Sequence, residues 1–176
     1  MRRTRTTATA VAALAVAAGL LGPAAQGAAA AGRDDYPYRS DTTGAADPWG
    51  FTKRQCVSFT AFRLAQHGVR LRNATQHWGS AYTWNNAARR LGHRVDHHPA
   101  VGAVAQWDEG ERSAYYSPGS TRPNGTLTAG PAGHVAYVTR VYADGSVQLE
   151  QYNLGSSRAY STMRAKAPRY LHLGSR

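Results

Sequence analysis

Asp47-Pro48-Trp49-Gly50-Phe51-Thr52-Lys53-Arg54-Gln55-Cys56-Val57-Ser58-Phe59 holds the only cysteine of a 176-residue chain. A loop precedes this cysteine. An apolar segment follows it, Val57, Phe59, Ala61, Phe62, Leu64 and Ala65, and ends at Gly68. That spacing, closed by a glycine, predicts a short buried helix with Cys56 in its first turn. Unpaired N–H groups and the positive end of the helix dipole favour thiolate over thiol there, which would make the sulfur nucleophilic.

Upstream, Met1-Arg2-Arg3-Thr4-Arg5 is a positively charged start, and Ala10 to Leu21 is an apolar run too short to span a bilayer with margin. The small residues from Ala24 to Ala31 offer several cleavage positions, with Gly27/Ala29 or Ala28/Ala30 at the key small sites. Residues 1–31 are therefore expected to be a signal peptide cleaved within 27–31, and the protein is expected to be secreted, extracellular or wall-associated. In an oxidising compartment a structural cysteine has a partner, and this chain supplies none. Cys56 is then a reactive thiol, an intermolecular bridge or a small buried apolar residue.

The net charge is +11, falling to +8 without the three leader arginines. Of the 21 basic residues only Lys53 and Lys166 are lysines. Arg63, Arg70, Arg72, Arg89, Arg90, Arg140, Arg158 and Arg164 are dispersed, with no basic run beyond the leader. The charge reads as non-specific attraction to anionic wall polymers rather than specific nucleic-acid binding. No repeats and no metal-type cysteine pairs occur. The length suits one monomeric domain with its own core.

Arg33 to Asp47 reads as an extended lead-in, anchored by Tyr36-Pro37-Tyr38. A second helix is expected after Ser80, with Ala81, Trp84, Ala88 and Leu91 on one face and Gly92 at its end. From Pro99 the period changes to that of strands: 101–107, 134–142, a turn at Asp144-Gly145, then 147–152 and 170–173. Helices followed by strands predict an α+β fold with an antiparallel sheet against the cysteine helix.

A cysteine amidase or peptidase needs a thiolate, an imidazole in reach and a polar group fixing the imidazole tautomer. His134 opens a strand after Gly130-Pro131-Ala132-Gly133 and is the candidate base. Glu150, on the partner strand of the hairpin, is the candidate orienter, and Asn153 could add a second hydrogen bond. Nucleophile on a helix and base on a strand, in the chain order Cys, His, polar residue, matches a papain-like arrangement.

Trp49-Gly50-Phe51 with Arg54-Gln55-Cys56-Val57-Ser58-Phe59, then Val101-Gly102-Ala103-Val104-Ala105-Gln106-Trp107, Gly133-His134-Val135-Ala136-Tyr137-Val138 and Glu150-Gln151-Tyr152-Asn153 together resemble a CHAP domain over about residues 36–173. The resemblance implies a papain-like α+β fold and a cysteine, histidine-dependent amidohydrolase or peptidase acting on peptidoglycan. It implies Cys56 as nucleophile, His134 as base and Glu150 as orienter, with Gln55 and the Cys56 N–H as oxyanion donors. The bond cleaved would be that of an N-acetylmuramoyl-L-alanine amidase or an endopeptidase, with no cofactor and no metal. Trp49, Trp107, Tyr115 and Tyr116 are candidate cleft residues. Residues 32–47 would be the lead-in and 48–176 the catalytic domain.

One departure is the stretch 108–132, longer than the family's usual connection, expected to be either a lid or cleft wall or a disordered insertion. His93, His97 and His98 with Asp96 lie between Gly92 and Pro99, which disfavours a helical ligand pair, so they read as loop histidines. His67, His77 and His172 carry no partner pattern. An NlpC-type cell-wall cysteine peptidase, a non-catalytic wall-binding module and a basic secreted toxin remain as other readings.

Overall fold

The structure, a computed structural model, describes residues 32–174; the expected signal peptide lies outside them. Among the described residues, three helices and two 3-10 turns accompany eight strands. Helix α1 (Cys56–Gln66) is followed by the single turn α2 (Asn73–Gln76), and then by a 3-10 turn at Ala81–Thr83 that runs into α3 (Trp84–Arg90). The strands are β1 (Arg94–Asp96), β2 (Val104–Trp107), β3 (Arg112–Tyr116), β4 (Gly125–Thr128), β5 (His134–Val141), β6 (Val147–Tyr152), β7 (Tyr160–Ala165) and β8 (Arg169–His172). They form one antiparallel sheet in the order β1-β8-β2-β5-β6-β7-β3-β4. The fold class is α+β, as the periodicities predict.

Helix α1 ends because Gly68 follows it. Gly68 N donates to Ala65 O at 3.1 Å and Val69 N to Leu64 O at 2.9 Å, a Schellman closure with Leu64 and Val69 in the same apolar cluster. Ala61 and Leu64 share that cluster with Phe51, Trp78 and Trp84 and with Val104, Val135, Tyr137 and Leu171 of the sheet. The alternate residues of the strands form a second cluster on the other face, including Ala105, Trp107, Ala136, Val138 and Leu149. Period-two alternation thus gives the sheet two dry faces, one of them under α1. Burying an aromatic such as Phe59 contributes roughly 2–3 kcal/mol to stability.

The lead-in is part of the structure. Tyr36 is fully buried among Phe59, Phe62 and Tyr152, and its hydroxyl meets Ser58 Oγ at 2.6 Å. Asp47 Oδ1 accepts the N–H groups of Trp49 and Phe51, both at 2.9 Å, and its other oxygen accepts Ser58 Oγ. That buried carboxylate shapes the loop entering α1.

The stretch 108–132 is neither disordered nor a simple loop. Strands β3 and β4 pair as a hairpin from Arg112↔Thr128 to Tyr115↔Gly125, and β3 extends the sheet beyond β7. Gly and Pro punctuation hid two short strands whose alternation is weak: only Tyr116 and Leu127 among their residues are buried. Strands β1 and β7 likewise lie outside the stretches whose periodicity predicts strands. The second helix begins where expected, but Ser80 makes no side-chain cap; Thr83 Oγ1 donates instead to the carbonyls of Trp78 and Ser80, at 2.5 and 2.8 Å.

Candidate active site

Cys56 is the first residue of α1, and its partly buried thiol takes the N–H of Val135, the residue after His134. The helix terminus and the start of β5 are thereby brought together. Burial pushes the Cys56 thiol up, while the N–H groups of Val135, Val57 and Cys56 itself pull it down. Burial wins, so the expected resting thiolate is replaced by a neutral thiol. The cause is that lost hydration outweighs what the N–H groups of Val135, Val57 and Cys56 supply.

His134 is 3% exposed. Its Nε2 lies 2.5 Å from Gln151 Oε1, and Gln151 Nε2 donates to Ser161 Oγ at 3.0 Å. The amide oxygen, an acceptor only, faces the ring, while the amide nitrogen faces Ser161. Nε2 must then carry the proton, which leaves Nδ1 with the free lone pair. Burial, opposed by the Gln151 hydrogen bond, lowers the His134 pKa to about 4. Among the described residues no hydrogen bond joins the thiol to the imidazole, so the resting pair is neutral and not yet engaged.

The loop before His134 is held tightly. Gly133 has φ +71°, and a Cβ there would lie 2.6 Å from Trp107 O and 2.7 Å from Tyr82 N. Tyr82 N donates to Ala132 O at 3.1 Å, and Gln106 Nε2 donates to Ala81 O at 2.9 Å. The Ala81–Thr83 turn therefore sets where β5 begins.

Glu150 does not orient His134. Its Oε2 accepts Arg63 Nε from α1, and both side chains are over nine-tenths buried. The reason is a one-residue bulge. Val141 and Arg140 pair with Val147 and Gln148, but past Thr139 the register shifts, so Val138 and Tyr137 pair with Leu149 and Glu150. A shift of one residue exchanges the two faces of the strand. Glu150 turns toward α1, and Gln151 joins Ala136 and His134 on the other face. Without the bulge, counting from the Asp144-Gly145 turn would have put Glu150 on the face of His134. Gln151 and Arg63 are the residues the sequence reading missed.

The remaining candidates divide. Gln55 Oε1 accepts Asn153 Nδ2 at 2.6 Å, so these two meet beside Cys56, and Gln55 keeps its NH2 group as a donor. A cleft of about 390 Å³ opens over the thiol, lined by Phe51, Gln55, Cys56, Asn73, Ser80 and Ala132. Trp49 packs on Phe62 outside this lining, and Trp107 is fully buried, donating to Ser113 Oγ at 2.8 Å with its ring 6.0 Å from that of His134. Tyr115 and Tyr116 line a different hollow with Pro118 and Arg164, and Tyr116 donates to Asp144 at 2.8 Å. The four aromatics are therefore not walls of the Cys56 cleft. Arg54, just before Gln55, has φ +60°, a local strain beside the nucleophile; its N–H donates to Tyr36 Oη at 3.1 Å and its guanidinium to Arg158 O at 2.8 Å.

The sequence profile of the CHAP domain matches residues 46–153, from the loop before Cys56 through Asn153. The chain belongs to the CHAP domain family. Its relatives include the N-acetylmuramoyl-L-alanine amidase sle1 of Staphylococcus haemolyticus, 34% identical over 116 residues, covering 66% of this chain and 27% of that protein. The staphylococcal secretory antigen SsaA of Staphylococcus epidermidis is 35% identical over 128 residues, covering 69% of this chain and 40% of that protein. A crystal structure of an N-acetylmuramoyl-L-alanine amidase from Staphylococcus aureus aligns with a TM-score of 0.54 at 24% identity, over 78% of this chain and 36% of that one, and so shares the fold. The CHAP chain thus spans about a quarter to two-fifths of the length of these relatives. No helix among the described residues is long and apolar enough to cross a membrane.

Proposed function

We propose that this CHAP protein is a secreted peptidoglycan hydrolase cleaving an amide bond through a Cys56 acyl-enzyme, with a papain-like pairing of helix and strand. The observation that carries the proposal is that the Cys56 thiol, at the head of α1 and lining an open cleft, takes the N–H of Val135, next in the chain to His134, whose ring Gln151 holds. The amidase relatives support peptidoglycan as the substrate class, and the charge of +8 on residues 32–176 favours an anionic wall.

In this mechanism Sγ attacks the amide carbonyl as its proton passes to His134 Nδ1. The oxyanion is held by the Cys56 N–H and by the Gln55 NH2 group that Asn153 positions. The imidazolium returns the proton to the leaving amine as the C–N bond breaks. Water then gives a proton to Nδ1 and its oxygen to the acyl carbon, and the released thiol takes the proton back. Gln151 holds the ring as an amide orienter does in Cys-His-Asn proteases. It carries no charge, so imidazolium formation is less assisted than by a carboxylate. Neutral thiol and neutral imidazole are the ground state, and charge separation occurs only with substrate bound.

The test is digestion of purified walls with native protein and with Cys56→Ala. Native protein should solubilise wall and the variant should not. Wall affinity without turnover in the native protein would instead support a binding module. Mass spectrometry of released muropeptides distinguishes amidase from endopeptidase products.

A further inference from the structure

Glu150, freed from the role of orienter, belongs to a buried network at the start of the described chain. Arg63 Nε donates to Glu150 Oε2, Nη1 to Asp35 Oδ1 at 2.6 Å and to Gln66 Oε1 at 2.8 Å, and Nη2 to Arg33 O at 3.1 Å. Residues 32–36 are in this way laid across α1 and β6. At their head, Gly32 has no room for a side chain. A Cβ would fall 1.5 Å from Tyr160 Oη and 2.3 Å from Glu150 Oε1. A backbone nitrogen lies about 2.5 Å from its own Cβ position, so Gly32 N is within about 4 Å of the hydroxyl and about 5 Å of the carboxylate.

That site is short of donors. Tyr160 Oη and Asp34 Oδ1 are buried without a well-formed hydrogen bond; the Arg63 guanidinium lies near Tyr160 Oη, but its donors are aimed at other acceptors. The charges facing it are the carboxylates Asp34 and Asp35 of the lead-in and Glu150 of β6, the guanidinium of Arg63 from α1, and that of Arg54, which reaches Tyr152. Arg63 is already committed to four acceptors. Burial, with the Glu150 charge beside it, raises the Tyr160 phenol, which keeps it neutral. An added cation with several N–H donors would satisfy what the site leaves open.

We propose that the leader is removed between Ala31 and Gly32, and that the α-ammonium so created docks on Glu150 and Tyr160. This rests on reading residues 1–31 as a cleaved leader. A signal peptidase hydrolyses the Ala31–Gly32 peptide; water gives a carboxylate to Ala31 and a protonated amine to Gly32. Ala29 and Ala31 then occupy the two small positions of an Ala-x-Ala site. Export and stabilisation are coupled, because only the processed chain has the charge that the network lacks.

Two measurements test this. N-terminal sequencing of the exported protein should read Gly32 first; a mature start at another residue overturns the cleavage site. Independently of export, protein released in vitro with a free Gly32 amine is compared by calorimetry with the same chain extended by one alanine and with its Nα-acetylated form. Each modified form should melt about 3–6 °C lower at pH 6.5, and Glu150→Gln should abolish that difference. The pairing raises the amine's pKa in the fold, so the difference should be complete below the unfolded value of about 7.7 and vanish as pH rises through the folded value. Equal melting temperatures, or a difference that persists in Glu150→Gln and is flat with pH, would overturn the docking.

Discussion

Replacing Gln151 by Glu should move the acid limb of the pH–rate profile upward. In the native protein His134 Nε2 faces an uncharged amide oxygen at 2.5 Å, and burial keeps its pKa at about 4. A glutamate is nearly isosteric, and Ser161 Oγ, 3.0 Å from the far amide atom, can donate to the second oxygen. An ionised carboxylate in contact with an imidazolium raises its pKa by about 1–3 pH units. That corresponds to about 1.4–4 kcal/mol of imidazolium stabilisation. Nδ1 must be unprotonated to accept the thiol proton, so kcat/KM falls as pH drops through this pKa. The half-maximal acid limb should shift from near 4 to between about 5 and 7. Long-range 1H–15N correlation of the His134 ring reads the same titration without turnover. Glu150→Gln should leave the limb in place, because Glu150 faces α1 and is held by Arg63. A limb that moves in Glu150→Gln and stays fixed in Gln151→Glu would refute the assignment.

Alkylation by iodoacetamide should map to Cys56 and abolish turnover, with a rate that climbs only at alkaline pH because burial pushes the thiol up; fast alkylation at pH 6 would contradict this. Arg63→Met strands the buried Glu150 carboxylate and should cost about 3–5 kcal/mol in denaturant unfolding, part of it recovered by adding Glu150→Gln. Gly133→Ala, forced to φ +71° with its Cβ against the Trp107 carbonyl, should destabilise by about 2–4 kcal/mol, read as a fall in Tm. His134 is buried and its folded pKa lies below the unfolded value of about 6.5. Its contribution is present above pH 6.5 and lost as pH falls toward about 4, amounting to about 3 kcal/mol; His134→Asn should flatten that part of the stability profile.

The helix at Cys56, the hairpin turn at Asp144-Gly145 and the central strands could be read from the chain because each rests on local signals: apolar period, a closing glycine, an Asp-Gly pair. The segments that carry Cys56 and His134 come together at the Val135 N–H, while the His134 ring itself lies with Trp107 and Gln151. What could not be read is set by geometry between segments. Local propensity carries no trace of the bulge at Thr139, yet it exchanges the faces of Glu150 and Gln151. The Cys56 thiol sits at a helix terminus, but burial depends on the sheet packed over it, and burial dominates. Strands β3 and β4 present alternation too weak, within too many glycines and prolines, to be told from a loop. Tyr115 and Tyr116 followed that hairpin away from the cleft.

The central claim is that amide hydrolysis passes through the sulfur of Cys56. Purified peptidoglycan treated with native protein and with Cys56→Ala, followed by mass spectrometry of the soluble products, tests it most directly. Native protein should release fragments whose masses show a newly hydrolysed amide, and Cys56→Ala should release none. The same fragments from both proteins would contradict the account.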